Sequence, residues 1–294
     1  MELLTPENWK DYELIDTGNF EKLERFGPYV LIRPEPQAVW GKSLSEKEWL
    51  RQAHVRFESR SSSSGVWKKF RDMPDRWNIS YMLPGQQKIS FRLAMTSFKH
   101  VGIFPEQAVN WDYISSSVKK MKTPQPKVLN LFAYTGGASL AARSAGADTL
   151  HLDSIKQVVT WARENMELSQ LTDIRWVVED ALTFVRREVK RGKKYQGIIL
   201  DPPAYGHGPT GESWKLEEMI SEMMQHVFQL LDEKEHFMVL NAYSLGFSSL
   251  VIENLLAGRK KSGDGLQTGE LFLSASDKRK LPLGVFGRLS RFQQ

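Results

Sequence analysis

The sequence predicts an α/β protein in which a mostly parallel sheet follows a smaller, antiparallel α+β unit. From Lys127 onward, short apolar runs typical of buried strands alternate with longer helical patterns, as in strand–helix–strand units. Before residue 96 the chain instead shows short alternating strands broken by turns. We therefore expect residues 1–95 to form a small domain concerned with substrate recognition, 96–126 a bridge with a helix, and 127–294 the main domain.

In the small domain the patterns predict a hairpin and a few short elements. A Gly-Pro turn separates FEKLERF from YVLIRP, which favours a hairpin over residues 19–33. Beside it we expect a short helix over residues 45–52 and strands over 54–59, 77–83 and 88–95.

In the main domain the alternation is regular until its last part. We expect a bridge helix over residues 106–120, strands over 127–132, 149–153, 174–178, 196–200 and 236–241, and helices over 138–145, 155–168, 181–191, 214–231 and 247–257. The final segments GELFLSA and LPLGVFGRLSR read as two strands with no helix between them. They can only pair antiparallel, because a parallel crossover needs a much longer connection.

The composition excludes several functional classes. The 294 residues include no cysteine, which rules out disulfides, a Cys-ligated zinc and a Cys nucleophile. The six histidines show no metal-ligand spacing, so we infer no metal. No apolar run is long enough to span a membrane and the N-terminus lacks signal-peptide order, so a cytoplasmic protein is expected. The net charge of +5 permits a nucleic-acid partner without proving one.

The segment KVLNLFAYTGG, residues 127–137, is the first candidate site. It predicts a buried strand, then a turn that contains Gly136 and Gly137, then a helix. A strand, a Gly-rich turn and a helix start place backbone N–H groups and the positive end of a helix dipole against a ligand. The spacing differs from the G-x-G-x-x-G fingerprint of nicotinamide-binding proteins. A tight turn without a ligand remains the alternative.

Two aspartates follow the next two predicted strands. Asp153 could accept hydrogen bonds from both hydroxyls of a ribose, or could cap the following helix. Asp180 could accept from the amino group of an adenine, with Ala181 and Leu182 beside it, or could serve as the N-cap of the helix ALTFVRREV. One residue can do both.

The segment LDPPAY, residues 200–205, is the second candidate site. Pro202 and Pro203 cannot continue a sheet ladder, so the strand should stop with its carbonyl groups unpaired beside Asp201. A carboxylate and a rigid carbonyl can hold an amino group by its hydrogens and turn the nitrogen lone pair toward an electrophile. Tyr205 or His207 could stack against a base. The alternative is a Pro-terminated strand with a solvated aspartate.

Ligands of open α/β sheets bind outside the carboxyl ends of the strands, so both candidate segments should face one crevice. We interpret that crevice as a site for S-adenosylmethionine (SAM) with a substrate base beside it. The glycines at positions 206, 208 and 211 predict a flexible loop over the substrate. Basic clusters at 68–71, 119–122, 186–194, 259–261 and 278–280 are either solvated faces or an RNA-contacting surface.

Four motifs in order resemble the bacterial 23S ribosomal RNA methyltransferase K/I family of class I SAM-dependent methyltransferases. They are FKHVGIFPEQAVNW, VLNLFAYTGGAS, LHLDSIKQVVTWARENMELSQL and KKYQGIILDPPAYG, and the similarity extends over about residues 96–290. The resemblance implies a Rossmann-like fold whose last strand is antiparallel. It implies that SAM is surrounded by Tyr134, Thr135, Gly136, Gly137, Asp153, Asp180 and Asp201, with Phe104 and Gln107 of the bridge reaching it from the front. We expect further SAM contacts from Asn130, Phe132, Ala133, Ser154 and Ala181, and we expect Asp201, Pro202, Pro203 and Tyr205 to serve the transfer.

Two departures from that family bear on the substrate. Members often carry an N-terminal RNA-binding barrel, and the residues before Asn19 are too few to supply one. Members that methylate cytosine at carbon need a Cys nucleophile, whereas the stretch LNAYSLGF offers Ala242, Tyr243 and Ser244. We therefore expect direct methyl transfer to a base nitrogen of RNA, most simply ribosomal RNA. A methyltransferase of protein side chains or metabolites, and a non-catalytic SAM-binding module, remain the alternatives.

Overall fold

The structure is a computed structural model and describes residues 1–7, 9–61, 64–243 and 246–293. An eight-stranded sheet with helices on both faces carries a smaller, β-rich domain at its side. The predicted α/β class is thereby confirmed. No helix of the described residues is long and apolar enough to cross a membrane. Ser244, named above, lies outside the described residues.

The part of the chain before Lys127 contains both predicted and unexpected elements. Its elements are β1 (Glu2–Leu4), β2 (Tyr12–Gly18), β3 (Glu21–Phe26), β4 (Tyr29–Pro34), α1 (Glu46–Gln52), β5 (Val55–Ser59), β6 (Gly65–Lys69), β7 (Arg76–Met82), β8 (Lys88–Ala94), a 3-10 turn (Pro105–Gln107) and α2 (Ala108–Lys120). The predicted hairpin is β3–β4, and the capping box of Ser45 and Glu48 fixes the start of α1. Strands β1, β2 and β6 were not predicted.

The part from Lys127 onward follows the predicted alternation. Its elements are β9 (Lys127–Leu131), α3 (Gly137–Ser144), β10 (Asp148–Asp153), α4 (Lys156–Leu168), β11 (Ile174–Val178), α5 (Ala181–Lys190), β12 (Gly197–Leu200), β13 (Tyr205–His207), β14 (Ser213–Lys215), α6 (Leu216–Leu230), β15 (His236–Ala242), α7 (Ser249–Ala257), β16 (Gly265–Ser274) and β17 (Lys280–Arg291). β17 runs antiparallel to both of its neighbours, as expected. β1 pairs with β16, which joins the first residues to the main sheet.

The strand order of the main sheet brings the two candidate segments together. The order is β1-β16-β17-β15-β12-β9-β10-β11, so the chain reverses its direction of winding between β9 and β12. Such a reversal opens a crevice at the carboxyl ends of the two strands. Leu131 at the end of β9 pairs directly with Leu200 at the end of β12. The residues that follow these two strands therefore leave the sheet side by side.

Both faces of the sheet are buried, and alternate strand residues supply two separate cores. Val128 and Ile199 pack on the face that carries α2, α3 and the small domain. Leu129 and Ile198 pack on the opposite face, under α5, α6 and α7. Side chains alternate between faces along a strand, so burial on both sides requires the nearly continuous apolar runs seen in the sequence.

Gly137 is required by packing between helices. A Cβ added there would lie 2.6 Å from the Trp111 indole, which belongs to α2. We expect Gly137→Ala to lower the free energy of unfolding by about 1–3 kcal/mol, because neither backbone nor indole can move without strain. Urea unfolding of both proteins measures this difference.

Gly41→Ala is the matched control for this prediction. A Cβ at Gly41 would meet no atom within 4 Å, so its free energy of unfolding should stay within about 0.5 kcal/mol of the wild type. Equal stability of the two variants would contradict the packing argument.

Candidate cofactor and substrate site

The turn after β9 has a backbone that few sequences can adopt. Phe132, Tyr134 and Gly136 have φ angles of 56°, 49° and 94°, all in the left-handed region. Gly136 is the N-cap of α3, where the missing side chain permits this conformation. The Thr135 hydroxyl donates a 2.7 Å hydrogen bond to the carbonyl of Gly102, which ties the turn to the bridge. The turn is therefore held in one shape from outside its own segment.

Asp153 lies at the end of β10, beside this turn. Its Oδ2 accepts from the N–H of Tyr134 at 2.9 Å, and its Oδ1 accepts from the N–H of Ile155 at 3.0 Å. Burial raises the pKa of this carboxyl, and the N–H donors oppose that rise. A carboxylate oxygen can accept two hydrogen bonds, so both oxygens keep an acceptor position.

Asp180 caps α5, as the alternative interpretation proposed. Its Oδ1 accepts from the N–H of Thr183 at 2.7 Å, while no described residue donates to its other oxygen. Asp180 also faces the cavity together with the apolar side chains of Ile155, Val158 and Ala181. Capping and a ligand contact are therefore compatible here.

Asp201 follows β12 and its carboxyl has no donor among the described residues. Burial alone raises its pKa to about 6. The expectation that both proline carbonyls stay unpaired is wrong for Pro203, whose oxygen accepts from the Trp214 indole N–H at 2.8 Å. That bond was invisible in the sequence because Trp214 lies across a hairpin. The carbonyl of Pro202 accepts from no described residue.

The glycine-containing segment after Pro203, for which a flexible loop was predicted, forms a short β-hairpin. β13 pairs antiparallel with β14, and α6 begins only at Leu216. The Tyr205 hydroxyl lies 3.1 Å from Nε2 of His207, and their rings meet edge to face. Tyr205 is 56% exposed, so an aromatic face remains available at the cavity mouth.

All the predicted site residues line one cavity of about 440 Å³ or a smaller adjoining one of about 50 Å³. Asp153, Asp180 and Asp201 face the larger cavity, whereas Asn130, Gly136 and Gly137 face the smaller one. The larger volume lies within the range of pockets for small-molecule ligands. The roles of these lining residues in binding a ligand stay predictions.

The sequence analysis missed several residues of the cavity wall. These residues come from the bridge, the hairpin and the end of β15: His100, Glu106, Trp214, Asn241 and Tyr243. Asn241 and Asn110 both donate to Oε1 of Gln107, at 3.1 and 2.9 Å, which leaves the Gln107 amide nitrogen for another acceptor. Asn241 is a polar residue near the end of the buried run HFMVLNA, and this position was a usable signal in the sequence.

Tyr243 joins the small domain to the cavity wall. Its hydroxyl donates at 2.9 Å to Glu35, a buried carboxylate that also pairs with Lys22 at 3.2 Å. We expect Tyr243→Phe to lower the free energy of unfolding by about 1.5–3 kcal/mol, because a hydrogen bond to a buried charge is lost. Tyr205→Phe is the control: it removes a hydroxyl from an exposed ring and should change the free energy of unfolding by less than about 0.5 kcal/mol. Urea unfolding of both variants measures the two changes. A smaller destabilisation by Tyr243→Phe than by Tyr205→Phe would contradict a stabilising hydrogen bond between Tyr243 and Glu35.

Most of the basic clusters are engaged within the protein. In the cluster at 186–194, Arg186 pairs with Glu222, Arg187 with Glu179, and Arg191 with Glu188. These three arginines are therefore paired within the protein, and an RNA contact of this cluster stays a prediction. Within the described residues, no group of three or more His, Asp or Glu side chains is placed to hold a metal ion.

The residues present fit SAM. Asp153 offers acceptor positions for two ribose hydroxyls, and the open oxygen of Asp180 can accept from an amino group. Ile155 and Val158 supply apolar surface for a planar ring, and the Gln107 amide can donate to a carboxylate. The fold and this set of side chains define a class I SAM-dependent methyltransferase.

Comparison with known proteins supports the assignment to the SAM-dependent methyltransferases. A family described as "Conserved hypothetical protein 95" matches residues 112–261, just over half of the chain. The SAM-dependent methyltransferase from Agrobacterium tumefaciens is 36% identical, with a TM-score of 0.90 over 98% of this chain and 93% of that one. The chain therefore belongs to the Conserved hypothetical protein 95 family and to the SAM-dependent methyltransferases.

Two further similarities are more limited. SMU.776, complexed with S-adenosylhomocysteine (SAH), shares the fold at 16% identity, with a TM-score of 0.71 over 95% of this chain and 75% of that one. The ribosomal RNA large subunit methyltransferase K/L of Shewanella frigidimarina is 30% identical over 145 residues. That match covers 48% of this chain and 19% of the relative, so the chain spans about a fifth of this curated relative's length.

Proposed function

We propose that the protein transfers a methyl group from SAM to a nitrogen of an RNA base, with ribosomal RNA as the substrate. The observation that carries the proposal is the half-buried carboxyl of Asp201, which accepts from no described residue and stands beside the left-handed turn in one cavity. An acceptor that is desolvated without a partner is costly unless a ligand satisfies it.

Asp201 and the carbonyl of Pro202 would accept the two hydrogens of an amino group. Held in this way, the nitrogen turns its lone pair toward the cofactor. The two prolines limit rotation of the backbone that carries the Pro202 carbonyl. SAM supplies an electrophilic methyl group when bound. Asp153, Asp180 and Gln107 would hold it through its ribose, its adenine and its carboxylate.

Two observations support RNA as the substrate: the names of the curated relatives and the aromatic rings at the mouth of the cavity. The matching curated relatives are named ribosomal RNA large subunit methyltransferases. Tyr205 and Tyr243 are exposed aromatic rings at the cavity, and such rings stack bases of single-stranded or everted nucleotides. The chain has no cysteine, so a route through a Cys adduct is not open to it. A ribosomal RNA substrate would be met in the cytoplasm, where the sequence predicts the protein to act.

The experiment uses ribosomal RNA from a strain that lacks the gene. Purified protein and SAM labelled in the methyl group are incubated with that RNA, and in parallel with protein and metabolite pools from the same strain. We expect label in RNA alone, at a nucleotide that mass spectrometry finds unmodified in the deletion strain. Label confined to the protein or metabolite pool would overturn the proposal. A complete set of modifications in a strain that carries Asp201→Ala would identify a non-catalytic module.

A further inference from the structure

Glu106 is a buried carboxyl in the cavity wall that accepts a hydrogen bond from no other described residue. It is 4% exposed and lies in the 3-10 turn that precedes α2. Among the described residues, only its own backbone N–H donates to it. Burial raises its pKa to about 7. An acidic side chain this deep normally has an ion-pair partner, so its absence requires an explanation.

The neighbouring cations are already committed to other carboxylates. Lys22 lies 3.2 Å from Glu35 and 3.7 Å from Glu24, and Arg33 pairs with Glu24 at 2.7 Å. Lys22 still lowers the pKa of Glu106, but less than burial raises it. The other titratable groups that act on Glu106 are Tyr12, Glu35, Asp201 and Tyr243, and Lys99 and His100 line a cavity with it. The titratable groups that also line the large cavity are Tyr134, Asp153, Glu179, Asp180, Tyr205 and His207. Burial holds the pKa of His100 at about 3, so it stays neutral.

The position of Glu106 separates it from the turn after β9. The small cavity at that turn is lined by Asn130, Gly136 and Gly137, and Glu106 is not among its described lining residues. Glu106 instead lines the large cavity with Asp201, and a third cavity of about 20 Å³ with Glu35 and Tyr243. That third space is too small for more than a water molecule. A ligand larger than water can therefore reach Glu106 only through the large cavity.

We propose that Glu106 determines substrate specificity by accepting a hydrogen bond from an N–H group of the target base, next to the atom that Asp201 holds. This inference rests on the proposed function. An ionised carboxylate can only accept hydrogen bonds. If a base turns a lone pair toward it, the carboxylate oxygen and the base atom are both acceptors and no hydrogen lies between them. A site with buried acceptors rejects such a base strongly, because the mismatch leaves its own polar group unpaired. Two carboxylates in one cavity thus select an edge with more than one N–H donor.

The test compares wild type with Glu106→Gln, using ribosomal RNA from the deletion strain. KM, kcat and the Kd of SAH are measured between pH 6.5 and 8. For the wild type we expect KM to rise about fourfold from pH 8 to 6.5, as a carboxyl of pKa about 7 takes up its proton. For Glu106→Gln we expect a KM about tenfold or more above wild type at pH 8, without that pH dependence. Its kcat and its Kd for SAH should change less than threefold.

Two further measurements separate binding from a structural role. Glu106→Gln should unfold at a higher temperature than wild type at pH 8, because a buried unpaired charge is removed. Glu253→Gln, at an exposed residue of α7 outside the cavity lining, makes the same charge change and should alter neither KM nor its pH dependence.

The outcomes distinguish this inference from the proposed function. A KM of Glu106→Gln equal to wild type, with the same pH dependence, overturns the role of Glu106 alone. A loss of SAH binding with an unchanged KM overturns it too, since the carboxylate would then serve the cofactor. Absence of RNA methylation by the wild type overturns the proposed function and this inference with it.

Discussion

Replacing Asp201 with alanine is expected to lower kcat for RNA methylation by about 10²–10³-fold while the protein stays folded. The carboxyl accepts from no described residue, so its loss breaks no hydrogen bond within the part of the chain that the structure describes. What is lost is the group that orients the amino nitrogen, and misplacement of a nucleophile costs rate at about that scale. Single-turnover methylation with labelled SAM measures the effect.

Asp201→Asn and the pH profile provide the controls for this result. The asparagine keeps one carbonyl acceptor and should retain more activity than alanine. Because burial raises the pKa of Asp201 from its usual acidic range to about 6, the ionised acceptor is present above pH 6 and is lost as pH falls through that value. Wild-type kcat should therefore decline below about pH 6. The asparagine variant should not show that decline. If Asp201→Ala were as active as the wild type, Asp201 could not be the group that orients the amino nitrogen.

Asp153→Ala is expected to weaken SAH binding by about 100-fold or more. Two hydrogen bonds from ribose to a charged acceptor are lost, each worth about 1.5–3 kcal/mol, and about 2.7 kcal/mol already corresponds to 100-fold in Kd. The N–H groups of Tyr134 and Ile155 also lose their acceptor, so the turn itself should loosen. Isothermal titration calorimetry of the folded protein with SAH measures the change.

Asp173→Ala is the matched control for Asp153. Asp173 is exposed on the loop before β11 and pairs with Arg143 at 3.2 Å, so the same charge is removed without touching the cavity. Its Kd for SAH should match wild type within about twofold, since surface ion pairs contribute little. Asp153→Asn separates the loss of ribose contacts from loosening of the turn, because the amide oxygen of asparagine can still accept a hydrogen bond from one backbone N–H of the turn. A Kd for Asp153→Ala equal to that of Asp173→Ala would contradict the assignment to ribose.

The predictable part of the fold was the part set by local patterns. β9 and β12 are nearly continuous apolar runs because both of their faces are buried, and such runs are visible in any single sequence. α1 was visible through Ser45 and its partner Glu48. β1 was not visible, because three partly exposed residues form a strand only through pairing with β16.

The site divides in the same way. Asp153, Asp180 and Asp201 could be found because each lies at or just after the end of a strand, and parallel strands present their carboxyl ends at one edge. Glu106 and Tyr243 could not be assigned in advance. The environment of Glu106 is made by Lys22, Glu35 and Asp201, which are distant in sequence. The Pro203 carbonyl was misjudged for a related reason, because its donor Trp214 reaches it only when the hairpin forms.

By itself the sequence determined the class of fold, the strand ends that carry the aspartates, and the absence of cysteine chemistry. These features follow from residue type and from spacing along the chain, which folding does not alter. Only the tertiary structure decided which polar groups find partners and which stay unsatisfied. That distinction depends on pairs such as Tyr243 with Glu35, 208 residues apart, and on the depth of Glu106. Burial and pairing are properties of the assembled molecule, because they require surfaces from several segments to meet.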